Sequence, residues 1–282
     1  MAKESGITRI AVCQIEPVFG EVQRNADTTL EAIAAAAAAG ADAVVLPELA
    51  STGYMFANRA EAFELSQEAG RHAVTGQWLR AAAEHQLIVV GGFAERDGDV
   101  LYNAAFLARP DGRWSVYRKV HLWDEEALYF EPGNLGFPVV DLPFGRVGMM
   151  ICYDGWFPEA YRALADSGAD LVCVPTNWVP LEGHPDGQPA MATVLVRAAA
   201  HVNGLVVAAA DRVGRERGQD FIGQSVIVSH TGLVLAGPAS STEPALLWAD
   251  VNLGETRRSR GWGRFNHLLA DRRPDAYGPS RA

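Results

Sequence analysis

Cysteine is scarce in this chain of 282 residues, where Cys13, Cys152 and Cys173 are the three present. An odd number without a Cys-x-x-Cys spacing argues against both a disulfide framework and a structural zinc site, and leaves at least one thiol free. Positive charge is also short. Lys plus Arg come to 24 against 34 Asp plus Glu, a net charge of −10, with the two signs interspersed. No basic stripe is left to neutralise phosphates, so nucleic acid is not an expected partner. No stretch of about 18 consecutive apolar residues could span a bilayer, so no membrane partner is expected either. Met1-Ala2-Lys3-Glu4-Ser5-Gly6 lacks the apolar core of a secretory leader, and the expected setting is cytoplasmic. Also missing are Gly-x-Gly-x-x-Gly, Gly-x-x-x-x-Gly-Lys-Ser/Thr, Gly-x-Ser-x-Gly and His-Glu-x-x-His. Dinucleotide, P-loop, serine-hydrolase and zincin chemistries drop out with them.

What remains is 49% hydrophobic and 21% charged, enough to bury a large core. Strand and helix patterns alternate, which predicts an α/β fold. A strand is expected over residues 8–15, then a helix capped by Asn25 or Thr28, with Glu31 completing a capping-box spacing and Gly40 stopping it. A buried strand, Ala43-Val44-Val45-Leu46-Pro47, delivers Glu48. A helix near 75–85 leads to an apolar strand at 87–90. Segments 103–108 and 113–119 flank Pro110-Asp111-Gly112 as a hairpin. Val147-Gly148-Met149-Met150-Ile151 reads as a strand ending at Cys152, and Pro158 opens a helix that closes near Gly168. The alternation continues through 170–175, 191–203, 205–210, 224–229 and 246–251. Residues 1–254 are expected to form the domain, and the arginine-rich residues 255–282 a tail over it or over a partner.

The stretch from Gly40 to Glu48 is echoed from Gly168 to Thr176: glycine, strand, proline, then a polar residue. Shared α/β grammar and true pseudo-symmetry account for it equally well. Either way Glu48 and Thr176-Asn177 occupy comparable strand ends, which in open α/β sheets border the ligand crevice.

A cysteine where strand gives way to helix suits a nucleophile. It needs a group to take its proton, a donor for the developing oxyanion and a base to activate water. Glu48, Lys119 at the end of Val116-Tyr117-Arg118-Lys119, and Glu126 within Asp124-Glu125-Glu126 have the right chemistry. Each has a plainer reading taken alone: a core thiol, an ion-paired or capping carboxylate, a solvated hairpin lysine. Glu125, next to Glu126, competes for the inward-facing place.

Taken together, Pro47-Glu48, Arg118-Lys119-Val120-His121-Leu122 and Ile151-Cys152-Tyr153-Asp154 with Phe157-Pro158-Glu159 resemble, in order, the three motifs of the carbon–nitrogen hydrolases, the nitrilase superfamily. The resemblance spans about residues 8–253. It implies a four-layer α-β-β-α sandwich, dimerised through helix faces or built into a larger homo-oligomer. It also implies a catalytic set of Glu48 as general base, Lys119 as oxyanion donor, Cys152 as nucleophile and Glu126 positioning them. No cofactor or metal is implied. A papain-like reading would need a histidine base, and among the histidines only His121 lies in a motif, outside that family's pattern. A non-catalytic role is disfavoured because all four residues are present.

Cys152-Tyr153-Asp154 is similar to the amidase branches, whereas nitrile-cleaving members commonly carry Cys-Trp-Glu. The expected substrate is therefore a small carboxamide, hydrolysed to acid and ammonia through a thioester. Gly155 and Trp156 stand where N-carbamoyl-amino-acid hydrolases often place arginines. The segments 210–214, 216–218 and 221–225, with Asp271-Arg272-Arg273, look like an archaeal aliphatic nitrilase and amidase branch, which keeps a nitrile, or else an N-carbamoyl compound, as the alternative substrate. Tyr54, Tyr153, Asn177 and Trp178 are the expected substrate-binding residues, Tyr153 through its backbone N–H.

Overall fold

The computed structural model describes residues 6–70, 73–185 and 187–277; residues 1–5 of the segment read for a leader, and residues 278–282 of the expected tail, lie outside the described residues. The first half of the chain runs β1 (Thr8–Gln14), α1 (Val22–Ala38), β2 (Ala43–Val45), α2 (Arg59–Leu65), α3 (Ala73–His85), β3 (Ile88–Asp97), β4 (Val100–Ala108) and β5 (Trp114–Arg118). The second runs β6 (Val139–Leu142), β7 (Gly145–Met149), α4 (Pro158–Asp166), β8 (Leu171–Pro175), α5 (Met191–Asn203), β9 (Val206–Ala210), a ribbon of β10 (Arg215–Glu216) and β11 (Gln219–Asp220), then β12 (Val226–Val228), β13 (Val234–Ala236), β14 (Ala245–Val251) and α6 (Leu253–Arg258).

Two six-stranded sheets result, in the orders β14-β1-β2-β3-β4-β5 and β13-β12-β9-β8-β7-β6. Successive side chains of a strand face opposite ways, and this alternation sorts the core into layers. Ile10, Val12, Ala43, Val45 and Val90 join one apolar cluster with Val172, Val174 and Val207 of the other sheet. Their neighbours Ala11, Cys13, Val44 and Val89 turn outward onto Ile33 of α1 and Trp78 of α3. On the far side Tyr161 and Leu164 of α4 and Val196 of α5 cover the second sheet. This is the four-layer α-β-β-α sandwich. The central strands read as unbroken apolar runs because both faces are buried. Among the described residues no helix is long and apolar enough to cross a membrane.

The echo seen in the sequence is structural. In each sheet three parallel strands, β1-β2-β3 or β7-β8-β9, are flanked by antiparallel neighbours in matching order. Asp42 and Asp170 play one part twice. Asp42 accepts from Arg9 N at 2.7 Å and Asp170 from Arg146 N at 2.9 Å. Their own N–H groups donate to Arg9 O and Arg146 O, both at 2.8 Å, and their carbonyls receive Ile88 N and Val206 N, both at 2.9 Å.

One local expectation fails. Helix α1 starts at Val22 behind Glu21, so neither Asn25 nor Thr28 caps it. Asn25 is buried inside the helix, where its amide accepts from Val18 N at 2.7 Å and donates to Val18 O at 2.8 Å. A tertiary clamp has taken over the side chain that local rules assign to a cap. Past β14, Asn252 caps α6 by accepting from Glu255 N at 3.3 Å. Arg257 then pairs with Asp170 at 2.6 Å, and Arg272 pairs with Asp166.

Candidate active site

β2 ends at Val45, and Pro47, which has no N–H to donate to a ladder, leads the chain away with Glu48. Pro47 O still accepts from Gly92 N at 3.0 Å. A Cβ on Gly92 would lie 2.5 Å from Glu48 Cα, so β3 needs glycine at this crossing. Leu49 follows with φ +46, and the strain is held by full burial around it.

Lys119 leaves β5 with its N–H on Asn103 O at 2.8 Å and its carbonyl accepting from Gly133 N at 2.8 Å. Its ammonium is fully buried and donates to Glu48 Oε1 and Glu126 Oε1, each at 2.7 Å. Glu126 sits on the short 3₁₀ turn Asp124–Leu128 and is 4% exposed. Glu125 faces solvent, where it accepts from Tyr129 Oη at 3.1 Å. The inward carboxylate is therefore Glu126, and it also accepts the Tyr54 hydroxyl at 2.6 Å.

Cys152 begins the 3₁₀ turn Cys152–Trp156 with φ +41, an uncommon conformation for a residue bearing a Cβ. Asp154 holds that bend. One oxygen accepts from Ile151 N at 2.9 Å and Tyr117 Oη at 2.5 Å; the other accepts from His121 N at 3.0 Å and lies 2.8 Å from the His121 ring, which stacks on Phe157 with centroids 3.8 Å apart. Asp154 thus ties the cysteine corner to the segment that carries Lys119. Cys152 is 9% exposed and opens on a narrow cleft lined by Trp123, Tyr153, Trp156, Asn177, Trp178 and Val179, among others. Trp123 and Val179 also wall a neighbouring cavity bordered by Tyr54, Asp124, Glu125 and Glu126.

Burial dominates the electrostatics. It raises Glu48 from the ordinary 4.5 to about 7, with Lys119 pulling down and Glu126 pushing up. Burial alone would lower Lys119, but Glu126, Glu48 and the sulfur outweigh it, so the amine stays an ammonium. Burial also carries Cys152 well above its usual value, and Glu48 adds to this. Lys119, the Thr176 side chain and the Asn177 backbone N–H act in the opposite direction. Tyr54, pushed up by burial and then by Glu126, remains a neutral donor. Burial and Glu48 together outweigh Lys119, so the thiol form of Cys152 is favoured.

Glu48, Lys119 and Glu126 are thus joined in one buried cluster that Tyr54 completes. Cys152, Tyr153, Asn177 and Trp178 line the adjoining cleft, and Asn177 Nδ2 links the two groups by donating to Glu48 O at 3.0 Å. Two participants escaped the sequence reading. Asn103 donates to Glu48 Oε1 at 2.7 Å, and a lone amide inside the apolar run of β4 was its only signal. Glu216 accepts from Tyr54 N at 2.7 Å and Met55 N at 2.6 Å while paired with Arg212 at 2.6 Å, with no local signal at all. Among the described residues no group of three or more His, Cys, Asp or Glu side chains is arranged to hold a metal.

With this geometry in hand, similarity decides the family. The family model described as Carbon-nitrogen hydrolase matches residues 9–260. The chain belongs to the carbon–nitrogen hydrolase family. It is 40% identical to a nitrilase from Pyrococcus abyssi over 96% of this chain and 99% of that one. It is 30% identical to an N-carbamoylputrescine amidase from Solanum lycopersicum, covering 98% and 96%. In structure it is similar to an amidase from Nesterenkonia sp., with a TM-score of 0.79 at 28% identity over 98% of this chain and 97% of that chain. A mutant of that amidase carries the acetamide moiety of fluoroacetamide added covalently at its active site cysteine. This carbon–nitrogen hydrolase is accordingly an enzyme of the nitrilase superfamily that hydrolyses C–N bonds.

Proposed function

We propose that the enzyme hydrolyses a small primary carboxamide to carboxylic acid and ammonia through a thioester on Cys152. One observation carries the reading. Of the three N–H donors of Lys119, two are taken by Glu48 and Glu126, leaving one for a substrate oxygen, while Glu48 Oε2 has no partner in the protein. An unoccupied donor and an unoccupied acceptor next to a buried thiol match an oxyanion and a mobile proton.

Glu48 takes the Sγ proton as sulfur bonds to the carbonyl carbon and the C=O π pair moves onto oxygen. Lys119 and the Tyr153 backbone N–H receive that oxyanion. The C–N bond then breaks, Glu48 returns the proton to nitrogen and ammonia departs. Water, deprotonated by Glu48, attacks the thioester; the C–S bond breaks and Glu48 reprotonates sulfur. Glu126 and Tyr54 fix the direction of the ammonium, and Trp178 packs against the acyl group.

Cys152→Ala is expected to lower ammonia release by about 10⁴-fold or more while the protein stays folded. An acyl mass trapped on wild type and missing from the variant checks the assignment, and ammonia release retained in the variant sinks it. Because a 40%-identical relative is named a nitrilase, a matched nitrile belongs in the same screen, as does an N-carbamoyl compound.

We further propose a homodimer formed through the α5 face, where Met191, Val194 and Val202 are exposed and Trp262 packs against His201. Sedimentation at micromolar concentration tests it, and a monomer contradicts it. On this reading residues 255–282 form a tail on the 1–254 domain or on the partner. Cys13, Cys152 and Cys173 all being free thiols suits a cytoplasmic setting.

A further inference from the structure

Asn177 lines the thiol cleft, and its backbone N–H lies on the sulfur of Cys152. Its side chain is committed on one arm only. Nδ2 donates to the Glu48 carbonyl at 3.0 Å, which fixes the orientation of the amide, since the opposite orientation would set two acceptors against each other. Oδ1 is then the other arm, and it is buried without a partner in a residue 3% exposed. Buried amide oxygens are nearly always hydrogen-bonded, and one left empty beside a nucleophile is an acceptor waiting for a donor. Glu48 Oε2 is in the same condition.

Two empty acceptors, on a residue that lines the cysteine's cleft and on one whose charge acts on the thiol, call for a ligand with two N–H bonds at the reacting carbon. A carboxamide or ureide –NH₂ has two. A nitrile and an ester have none. From this we infer that Asn177 Oδ1 accepts one N–H of the scissile –NH₂ group, the other going to Glu48 Oε2, and that Asn177 is the residue by which the site selects primary amides over nitriles and esters of the same acyl group. The inference rests on the carboxamide reading above and adds the residue that enforces it. The selectivity has a physical source: a donor-bearing substrate fills both vacancies, whereas an analogue lacking N–H leaves two buried acceptors unpaired. In the tetrahedral intermediate Asn177 Oδ1 keeps its N–H, while Glu48, now carrying the sulfur proton, gives up the other N–H and donates to the nitrogen lone pair before the C–N bond breaks.

The test compares propionamide, propionitrile and p-nitrophenyl propionate on wild type, Asn177→Ala and Asn177→Ser. The three probes share an acyl chain, and amide and ester pass through the same thioester. The amide-to-ester ratio of kcat/KM is expected to fall by about ten-fold or more in both variants. If Asn177 only propped the Glu48 backbone through Nδ2, amide and ester rates would fall together and the ratio would hold, which overturns the inference. The serine variant guards against a folding artefact in the alanine variant, since its ratio is read within one preparation. Failure of the function reading looks different: wild type would release ammonia from propionitrile and not from propionamide, and both statements would go.

Discussion

At the carboxyl end of β2 the chain presents Glu48, and at the matching end of β8 it presents Thr176; the offset that puts Cys152 six residues past Arg146 puts Ile15 six residues past Arg9. The two halves share a frame down to the paired roles of Asp42 and Asp170, yet they carry different chemistry. The first half supplies the carboxylate, the amine and Asn103; the second supplies the thiol, Thr176 and Asn177. The matching strand ends meet where Glu48 N donates to Thr176 O at 3.4 Å. Neither sheet alone carries all the residues of the candidate site. The comparison teaches that the repeated part is the scaffold, because backbone pairing and layer packing tolerate many side chains, whereas the unrepeated part is the set of groups to which the proposed function gives the roles of base, oxyanion donor and nucleophile.

The strongest way to break this division is to remove the charge that couples the halves. Lys119→Ala is expected to lower kcat/KM by roughly 10²–10³-fold or more through loss of the oxyanion donor. It also leaves Glu48 and Glu126 facing each other unpaired, and thermal unfolding should show a loss of about 3–5 kcal/mol. Near-normal turnover would remove the electrostatic argument.

Glu48→Gln sharpens the comparison by separating stability from activity. Glu48 titrates at about 7 in the folded protein against an ordinary 4.5. Between those values the native state holds a proton that the unfolded chain has released, so its contribution is present below pH 4.5 and is lost as pH rises through about 7. Wild type should therefore lose melting temperature relative to Glu48→Gln between pH 5 and pH 8, while its kcat/KM rises through about pH 7 as the base is freed. A melting difference that does not change with pH would contradict the assigned titration.

The smallest effect should come from the shared frame. Asp42→Ala and Asp170→Ala each remove an acceptor for a backbone N–H at the same point of the two repeats, which should cost about 1–3 kcal/mol of stability, and Asp170→Ala costs more because it also releases Arg257. Turnover per folded molecule should hold in both. A specific loss of kcat in one of them would show that the frame is not as neutral as its repetition implies.

Much of the fold could be read locally. The strand at residues 8–15, the hairpin around Pro110-Asp111-Gly112, the helix opened by Pro158 and the helix Met191–Asn203 follow from periodicity and turn chemistry, signals that survive packing. The short strand Val139–Leu142, the helix Arg59–Leu65 and the ribbon at Arg215–Asp220 were not legible, because elements this short take their form from what they lie against. The start of α1 was misread for a related reason: Asn25 was drawn away from a cap by Val18, a partner no local rule sees.

The sequence by itself determined the alternation of strands and helices, since short unbroken apolar runs between helical patterns mark strands buried on both faces, while the four-layer arrangement came from the family resemblance. It also determined which side chains could do chemistry, through three ordered motifs. Only the tertiary structure decided that Glu126 and not Glu125 turns inward, that Asn103 and Glu216 belong to the site, and that Glu48 has a pKa near 7. Those are properties of distance and burial, which depend on residues far apart in the chain arriving together where the strand ends of the two sheets meet.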